Sequence, residues 1–426
     1  MRAHSRSIKI CAAAATALAA AAVLAAGLAR AARAQGSLDD AVRSYLAART
    51  DAERDAIAPK LAAHDGLTAA AYRRAIEKTI AYPDLKAEPR PLVRKVEIAD
   101  GRSIEVIVSV PPSYDPKKKA WPLLVAFMGA ATDGRASIAA WAAAQKDYVI
   151  AAPSLPADTK ADDPAYRGMP HYETGFKTFT ALLRALPAEL RIDPNRVFVT
   201  GHSHGAGIAW NCAIYQPDRV AGVIPAAGGS TYDKRNLVNL FGTSAYVIHG
   251  THDGAVPVAR SRDPVAWLVK FGYDHVYHEF DGGHDFPTAK LPDVLRWMAT
   301  KERKPLPARI WQRTRPEWNA TGRFFWVRIA RGSGPLGPDD VVSVEGAIDA
   351  KANRIDLAVE NAGALELLLN ERLVDPKREV VVTVGGAGRL RGKVELRART
   401  ALDSFRLRRD LETIYPATLR IEVAGD

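Results

Sequence analysis

The chain of 426 residues is poor in sulfur, with two cysteines and four methionines. Cys11 falls in an N-terminal stretch expected to be removed, which leaves Cys212 alone and excludes an intrachain disulfide. A surplus of one charge sign is also missing. Formal charge is +11, but Arg2, Arg6, Lys9, Arg30 and Arg33 lie in the first 34 residues, which hold no acid. The other 392 residues carry only +6, spread along the chain, which gives no footprint for nucleic acid. Beyond residues 10–28 no apolar run approaches the ~20 residues that span a bilayer. What remains is globular composition, 47% hydrophobic and 25% charged, with chain enough for two or three cores.

The first 34 residues have the form of an export signal. A basic start precedes the apolar stretch Ile10–Leu28, and Ala32-Arg33-Ala34 has the small-x-small form of a cleavage site before Gln35. The mature protein is therefore expected to be secreted or periplasmic, with no stable membrane insertion; an uncleaved anchor is the alternative. Residues 35–90 carry apolar positions at helical spacing, including Leu38, Val42, Tyr45 and Leu46, and are expected to form helices beside the main domain or partly detached from it.

From Leu92 short apolar strands alternate with helices: strands at Leu123–Phe127, Tyr148–Ala151, Arg196–Thr200, Val220–Pro225, Tyr246–His249 and His275–Phe280, with helices between most of them. That alternation predicts a mostly parallel central sheet flanked by helices, over residues 91–304. After the charged, proline-bearing Lys301–Pro307, residues 305–426 show short strands separated by turn residues, as in a small β-sandwich-like domain. Strands are expected there at Phe324–Ile329 and Gly392–Leu396 among others, with a helix near Leu402–Leu411.

The strongest chemical signal is Gly201-His202-Ser203-His204-Gly205, between a strand and a helix start rich in small residues. A serine hydroxyl is a weak nucleophile until it is exposed, given a base and placed beside donors for an oxyanion. A sharp strand-to-helix turn exposes it, and the flanking glycines leave room for that turn. An acid and a histidine should follow in that order, each after a strand. Asp253 follows Tyr246–His249, and His284 follows His275–Phe280. His202, His204, His249, His252 and Asp253 could instead be metal ligands, but the glycines and the Ser–Asp–His order would then be accidents.

At these residues the chain resembles the α/β-hydrolase superfamily, and more narrowly the secreted esterases and predicted peptidases related to polyhydroxybutyrate depolymerases, feruloyl esterases and the prolyl oligopeptidase catalytic domain. The likeness lies in Ile192-Asp193-Pro194-Asn195-Arg196-Val197, the serine motif, and the Asp253 and His284 motifs, and covers residues 92–303. It implies nucleophile Ser203, acid Asp253 and base His284, acting on carboxylic esters, small or polymeric, without metal or organic cofactor. A serine peptidase is the runner-up, and a non-catalytic polymer-binding protein a third reading. The superfamily usually has His-Gly after the first central strand, whereas this chain has Phe127-Met128-Gly129-Ala130-Ala131. The oxyanion donors are expected to be the backbone N–H groups of His204 and Ala130, with Gly129 next. The long stretch Pro153–Tyr172 is expected to wall the substrate site. Because all three triad positions precede Lys301–Pro307, the β tail is expected to add stability or localisation, including polysaccharide or cell-surface contact, but no chemistry.

Overall fold

The computed structural model describes residues 38–83, 85, 91–99, 101–129, 133–155, 170–230, 234–315, 322–332, 334, 336–337 and 340–423. The signal-like segment lies outside these. Among the described residues no helix is long and apolar enough to cross a membrane.

Three helices come first: α1 (38–47), α2 (Asp51–Ala62) and α3 (Ala69–Thr79). Thr50 opens α2 with a capping box, its hydroxyl accepting from the Glu53 N–H while the Glu53 carboxylate accepts from the Thr50 N–H. The next elements are β1 (Leu92–Glu97), β2 (Ser103–Ser109), β3 (Trp121–Met128), α4 (Gly134–Ala140), β4 (Val149–Ser154), α5 (Pro170–Glu189), β5 (Ile192–His202), α6 (His204–Tyr215), β6 (Gly222–Ala226), β7 (Ser244–Gly250), α7 (Ala259–Phe271), β8 (His275–Phe280) and α8 (Leu291–Ala299). Their strands make one sheet in the order β1-β2-β4-β3-β5-β6-β7-β8. β2 is antiparallel to β1 and β4, and every later pairing is parallel.

The central strands carry apolar runs because both faces are covered. Leu123, Val125 and Phe127 of β3 face a core built with α5, α6 and α7, whereas Leu124 and Ala126 face one built with α4 and α8. β5 repeats this, with Val197 and Val199 on one side and Phe198 on the other. α6 is buried on all its faces, Cys212 included, so it carries no polar stripe.

The tail adds β9 (Arg309–Thr314), β10 (Arg323–Phe324), β11 (Val327–Gly332), β12 (Val342–Asp349), β13 (Arg354–Glu360), β14 (Ala362–Leu369), β15 (Val380–Val384), β16 (Ala387–Gly392), α9 (Ala398–Arg408) and β17 (Ala417–Glu422). A four-stranded sheet β10-β11-β14-β17 and a five-stranded sheet β16-β15-β13-β12-β9 share a core around Trp326, Leu365 and Val382. All their pairings are antiparallel except β13 with β15. Two strand expectations need correction. Residues 324–329 are not one strand, because Phe325 takes φ 47° and turns β10 back on β11. The ladder near residue 392 is 387–392, set by the Gly385-Gly386 turn with φ 57° and 82°; Val394 and Leu396 pack into the core without strand pairing.

The N-terminal helices are neither detached nor based only on the main domain. Leu38, Tyr45, Tyr72 and Ile76 share a core with Leu402 and Phe405 of α9, so the two ends of the described chain close on each other. Buried charges hold this layer and the tail to the eight-stranded unit. Arg303 donates to both Asp410 oxygens at 2.7 and 2.9 Å and to the Asp218 carbonyl. Arg408 pairs with the Asp218 carboxylate, which also accepts from the Phe325 N–H at 3.1 Å. Asn239 donates to the carbonyls of Ile214 at the end of α6 and Arg313 of β9. Ending the chain near residue 304 would strip these partners away, leaving bare charge and core rather than a neatly separable catalytic half.

Burial alone would raise the Asp410 carboxyl, but Arg303, Arg219 and Arg408 outweigh it and hold it well below the ordinary carboxylate value. Its contribution is thus present above the unfolded carboxylate pKa and is lost as the pH falls through the folded one. Asp410→Ala leaves Arg303 buried without its counter-charge and is expected to cost about 3–5 kcal/mol of unfolding free energy. Denaturant midpoints at unchanged slope measure this; a loss below about 1 kcal/mol would show that the pair does not hold the units together.

Candidate active site

Ser203 stands at the β5–α6 turn with φ 58° and ψ −121°, a conformation that an L-residue adopts only when its surroundings impose it. They do so through contact distances that admit no side chain. A Cβ on Gly201 would lie 1.9 Å from the Gly205 carbonyl oxygen, and one on Gly205 would lie 2.0 Å from the Phe127 oxygen. A Cβ on Gly228 would meet the Ser203 oxygen at 2.6 Å. The Ser203 N–H donates to the Ala226 carbonyl at 3.0 Å, fixing the turn to the end of β6. Both glycines of the five-residue motif are therefore steric requirements.

Asp253 and His284 come from the loops after β7 and β8, and the structure brings them together. His284 Nδ1 lies 2.7 Å from Asp253 Oδ2, and the aspartate side chain is fully shielded from solvent. The other oxygen, Oδ1, accepts from the backbone N–H groups of Ala255 and Val256 at 2.9 and 2.7 Å. Burial by itself would raise this carboxyl; the Val256 N–H, His284 and the Ala255 N–H outweigh it and keep it below its ordinary value. The two loops are stitched directly: Thr251 N–H donates to the Phe280 carbonyl and His252 N–H to that of Gly282, each at 2.9 Å. A Cβ on Gly250 would lie 2.2 Å from the Gly283 oxygen, so this contact also needs glycine.

The rival acids are elsewhere. Asp281 is exposed and pairs with exposed His252 at 3.0 Å, and Asp285 is exposed. Of the metal-ligand set considered from the sequence, His249 and Asp253 stay together while others part. His252 is with Asp281, the His204 side chain is exposed, and among the described residues no three His, Cys, Asp or Glu side chains gather as a metal site would require.

Two histidines matter more than the sequence suggested. His249 is completely buried, with Nδ1 2.6 Å from Ser261 Oγ and Nε2 2.9 Å from the Val256 carbonyl and 3.2 Å from Asp253 Oδ2. It braces the same turn that presents Asp253. The i, i+4 spacing of His249 and Asp253 was visible, but Ser261 arrives from α7, and only the fold joins them. His202 has its ring 4.7 Å from that of His284 and 6.3 Å from Phe286.

For the oxyanion, the His204 N–H is the first amide of α6, at the positive end of the helix. Ala130 lies outside the described residues, as does 156–169 of the expected wall loop. Gly129 is corrected: at φ 66° it donates its N–H to the His202 carbonyl at 3.0 Å, which spends the donor within the scaffold.

A parallel sheet of this order, with a serine on a strand-to-helix turn and an Asp–His pair at the next strand ends, defines the α/β-hydrolase fold. Residues 171–301, from α5 to just past α8, match the family model described as phospholipase/carboxylesterase, and the eight-stranded unit has the α/β-hydrolase fold. Among solved structures, a thermostable esterase is 23% identical over 50% of this chain at TM-score 0.43, and the match spans 63% of that protein's length. Thermogutta terrifontis esterase 2 phosphorylated by paraoxon is 16% identical over 52% of this chain and 98% of its own, at TM-score 0.41. Est1E from Butyrivibrio proteoclasticus is 12% identical over 49% and 99%, at TM-score 0.39. No curated protein matches the chain.

His202 supplies a pH test of the site's packing. Burial, then the neighbouring His284 charge, pulls its pKa from 6.5 down to about 4. Between those values the unfolded chain binds more protons than the folded one, so this group contributes stability above about pH 6.5 that is lost as the pH falls toward 4. His202→Gln is expected to flatten that part of the curve of melting temperature against pH, relative to the parent. Parallel curves would show that His202 titrates as in water.

Proposed function

We propose that this protein is an exported serine hydrolase that cleaves carboxylic esters, with Ser203 as nucleophile, His284 as base and Asp253 as its orienting acid. One observation carries the reading: the buried Asp253 carboxylate at 2.7 Å from His284 Nδ1, at the same sheet end as the strained Ser203 turn. With Nδ1–H held by Asp253, His284 presents Nε2 as the free basic nitrogen. It takes the Ser203 proton as Oγ attacks the ester carbonyl, and the negative oxygen develops near the first amide of α6. Collapse of the tetrahedral species expels the alcohol, which leaves with the proton from His284. Water activated by the same nitrogen then releases the acid from Ser203. Esters are favoured over peptides by the phospholipase/carboxylesterase description of the matching segment. Export rests on the basic-apolar-small pattern of residues 1–34.

The nucleophile is tested with short-chain p-nitrophenyl esters. Ser203→Ala is expected to stay folded and lose about three orders of magnitude or more in kcat, and an organophosphonate should label only the parent. Full activity in Ser203→Ala would end the proposal.

The acid is tested separately, since Asp253→Asn keeps the shape while favouring the wrong imidazole tautomer. The loss in kcat is expected to reach at least about a hundredfold, below the ~10⁴ of the protease precedent. Asp281→Asn and Asp285→Asn should each cost much less. A crippled Asp285→Asn beside a nearly silent Asp253→Asn would transfer the role to Asp285.

A further inference from the structure

A cleft of about 850 Å³ opens between β1, α5, α9 and the chain around residues 46–54. It lies against the first strand of the eight-stranded sheet, four strands from β5, so roughly 20 Å across the sheet from the Ser203 strand. Its lining is unbalanced: ten arginine and lysine side chains against two glutamates, with Val96, Ile98 and Phe176 supplying apolar wall. Some of the cations are neutralised within the protein, Arg54 by Asp51 and Arg408 by Asp218. Glu173, one of the two acids, is engaged by Lys177. Arg49, Lys95, Arg184, Arg219 and Arg409 pair with no carboxylate among the described residues.

Arg219 is the informative one. It is 7% exposed, and its Nη2 donates to two neutral acceptors, the carbonyls of Leu183 and Arg408, each at 3.2 Å. A guanidinium taken out of water with no carboxylate in contact costs several kcal/mol, and the attraction of Asp410 and Asp218 offsets only part of that here. Burial, and then the adjacent Arg408 charge, already pulls its pKa down to about 9. Arg49, Lys95 and Arg184 stand exposed on the rim above it. The floor thus holds more positive than negative charge and the rim exposes further cations, an arrangement that gains by taking an anion.

We propose that this cleft binds a small organic oxyanion carrying two or more phosphate or carboxylate charges, at a site separate from the ester-cleaving one. The volume lies within the ~300–1,000 Å³ of ordinary small-molecule sites. Planar arginine forks suit both kinds of oxyanion, so the two sources are separated by experiment. Calorimetry on the full mature chain with inorganic pyrophosphate and with citrate, against sodium chloride at matched ionic strength, is expected to show saturable binding by at least one. The same anion should raise the melting temperature beyond the chloride control, and added salt should weaken it. Response to pyrophosphate alone assigns phosphate chemistry; response to both assigns charge alone. Because Arg219 is buried, the exposed pair Arg49→Gln/Arg184→Gln carries the test. It should fold normally, keep its turnover of p-nitrophenyl esters and lose about tenfold or more in anion affinity. No saturable heat and no melting shift beyond chloride for either anion would overturn the proposal, as would unchanged affinity in the double variant.

Discussion

The turn at Ser203 exists because three backbone segments approach too closely for any side chain to stand between them. β5 must run to His202 in register with β3 from Leu123 onward, and α6 must begin two residues later against the Phe127 carbonyl. With a Cβ at position 201 or 205 that approach would fail by about an ångström, since carbon and oxygen in real structures stay above about 3 Å apart. The strain at Ser203 is the remainder of this packing: the serine takes φ 58° because its neighbours on both sides are already placed. The energy comes from the cores on the two faces of the sheet, so site geometry and fold stability are here one quantity. The same logic recurs at Gly250, where the β7 loop touches the Gly282-Gly283 turn and brings Asp253 within reach of His284.

This explains which parts were legible in the sequence. Strand-to-helix alternation is a local pattern, and strands buried on both faces announce themselves as apolar runs, so the sheet from β3 to β8 could be read almost element by element. The placing of Ser203, Asp253 and His284 at one sheet end was legible because each stands immediately after such a strand, where topology alone assigns that end. What local pattern could not carry was contact between distant segments. Ser261 on α7 meeting His249, Glu371 accepting from the first amides of α3, and Phe405 closing on Tyr45's layer all join residues far apart in the chain. The strand expected at Gly392–Leu396 failed for a related reason: buried apolar residues there serve the core without a ladder, whereas β16 is largely exposed and set by its glycine turn. Gly129 was misjudged because a backbone donor's availability depends on what its neighbour's carbonyl needs.

The basic balance of the mature chain also acquires a structural meaning. Read along the sequence, the charges look dispersed and therefore uninformative. In the fold, Arg303 and Arg408 turn inward to Asp410 and Asp218 and spend their charge on joining the tail to the eight-stranded unit. Arg219 lies in the same cluster and brings a further positive charge, bonded to carbonyls and attracted by Asp410 and Asp218 without an ion pair to either. Three guanidinium charges are not balanced by two aspartates, and surplus charge in a low-dielectric interior is felt over several side chains. The cleft opens where that surplus reaches solvent. Assembly of the units and positive potential in the cleft therefore follow from one set of arginines. A substitution that neutralised Arg219 would relieve its repulsion with Arg408, withdraw support from the Asp410 carboxylate and weaken the field in the cleft, so it would reach assembly and anion affinity together.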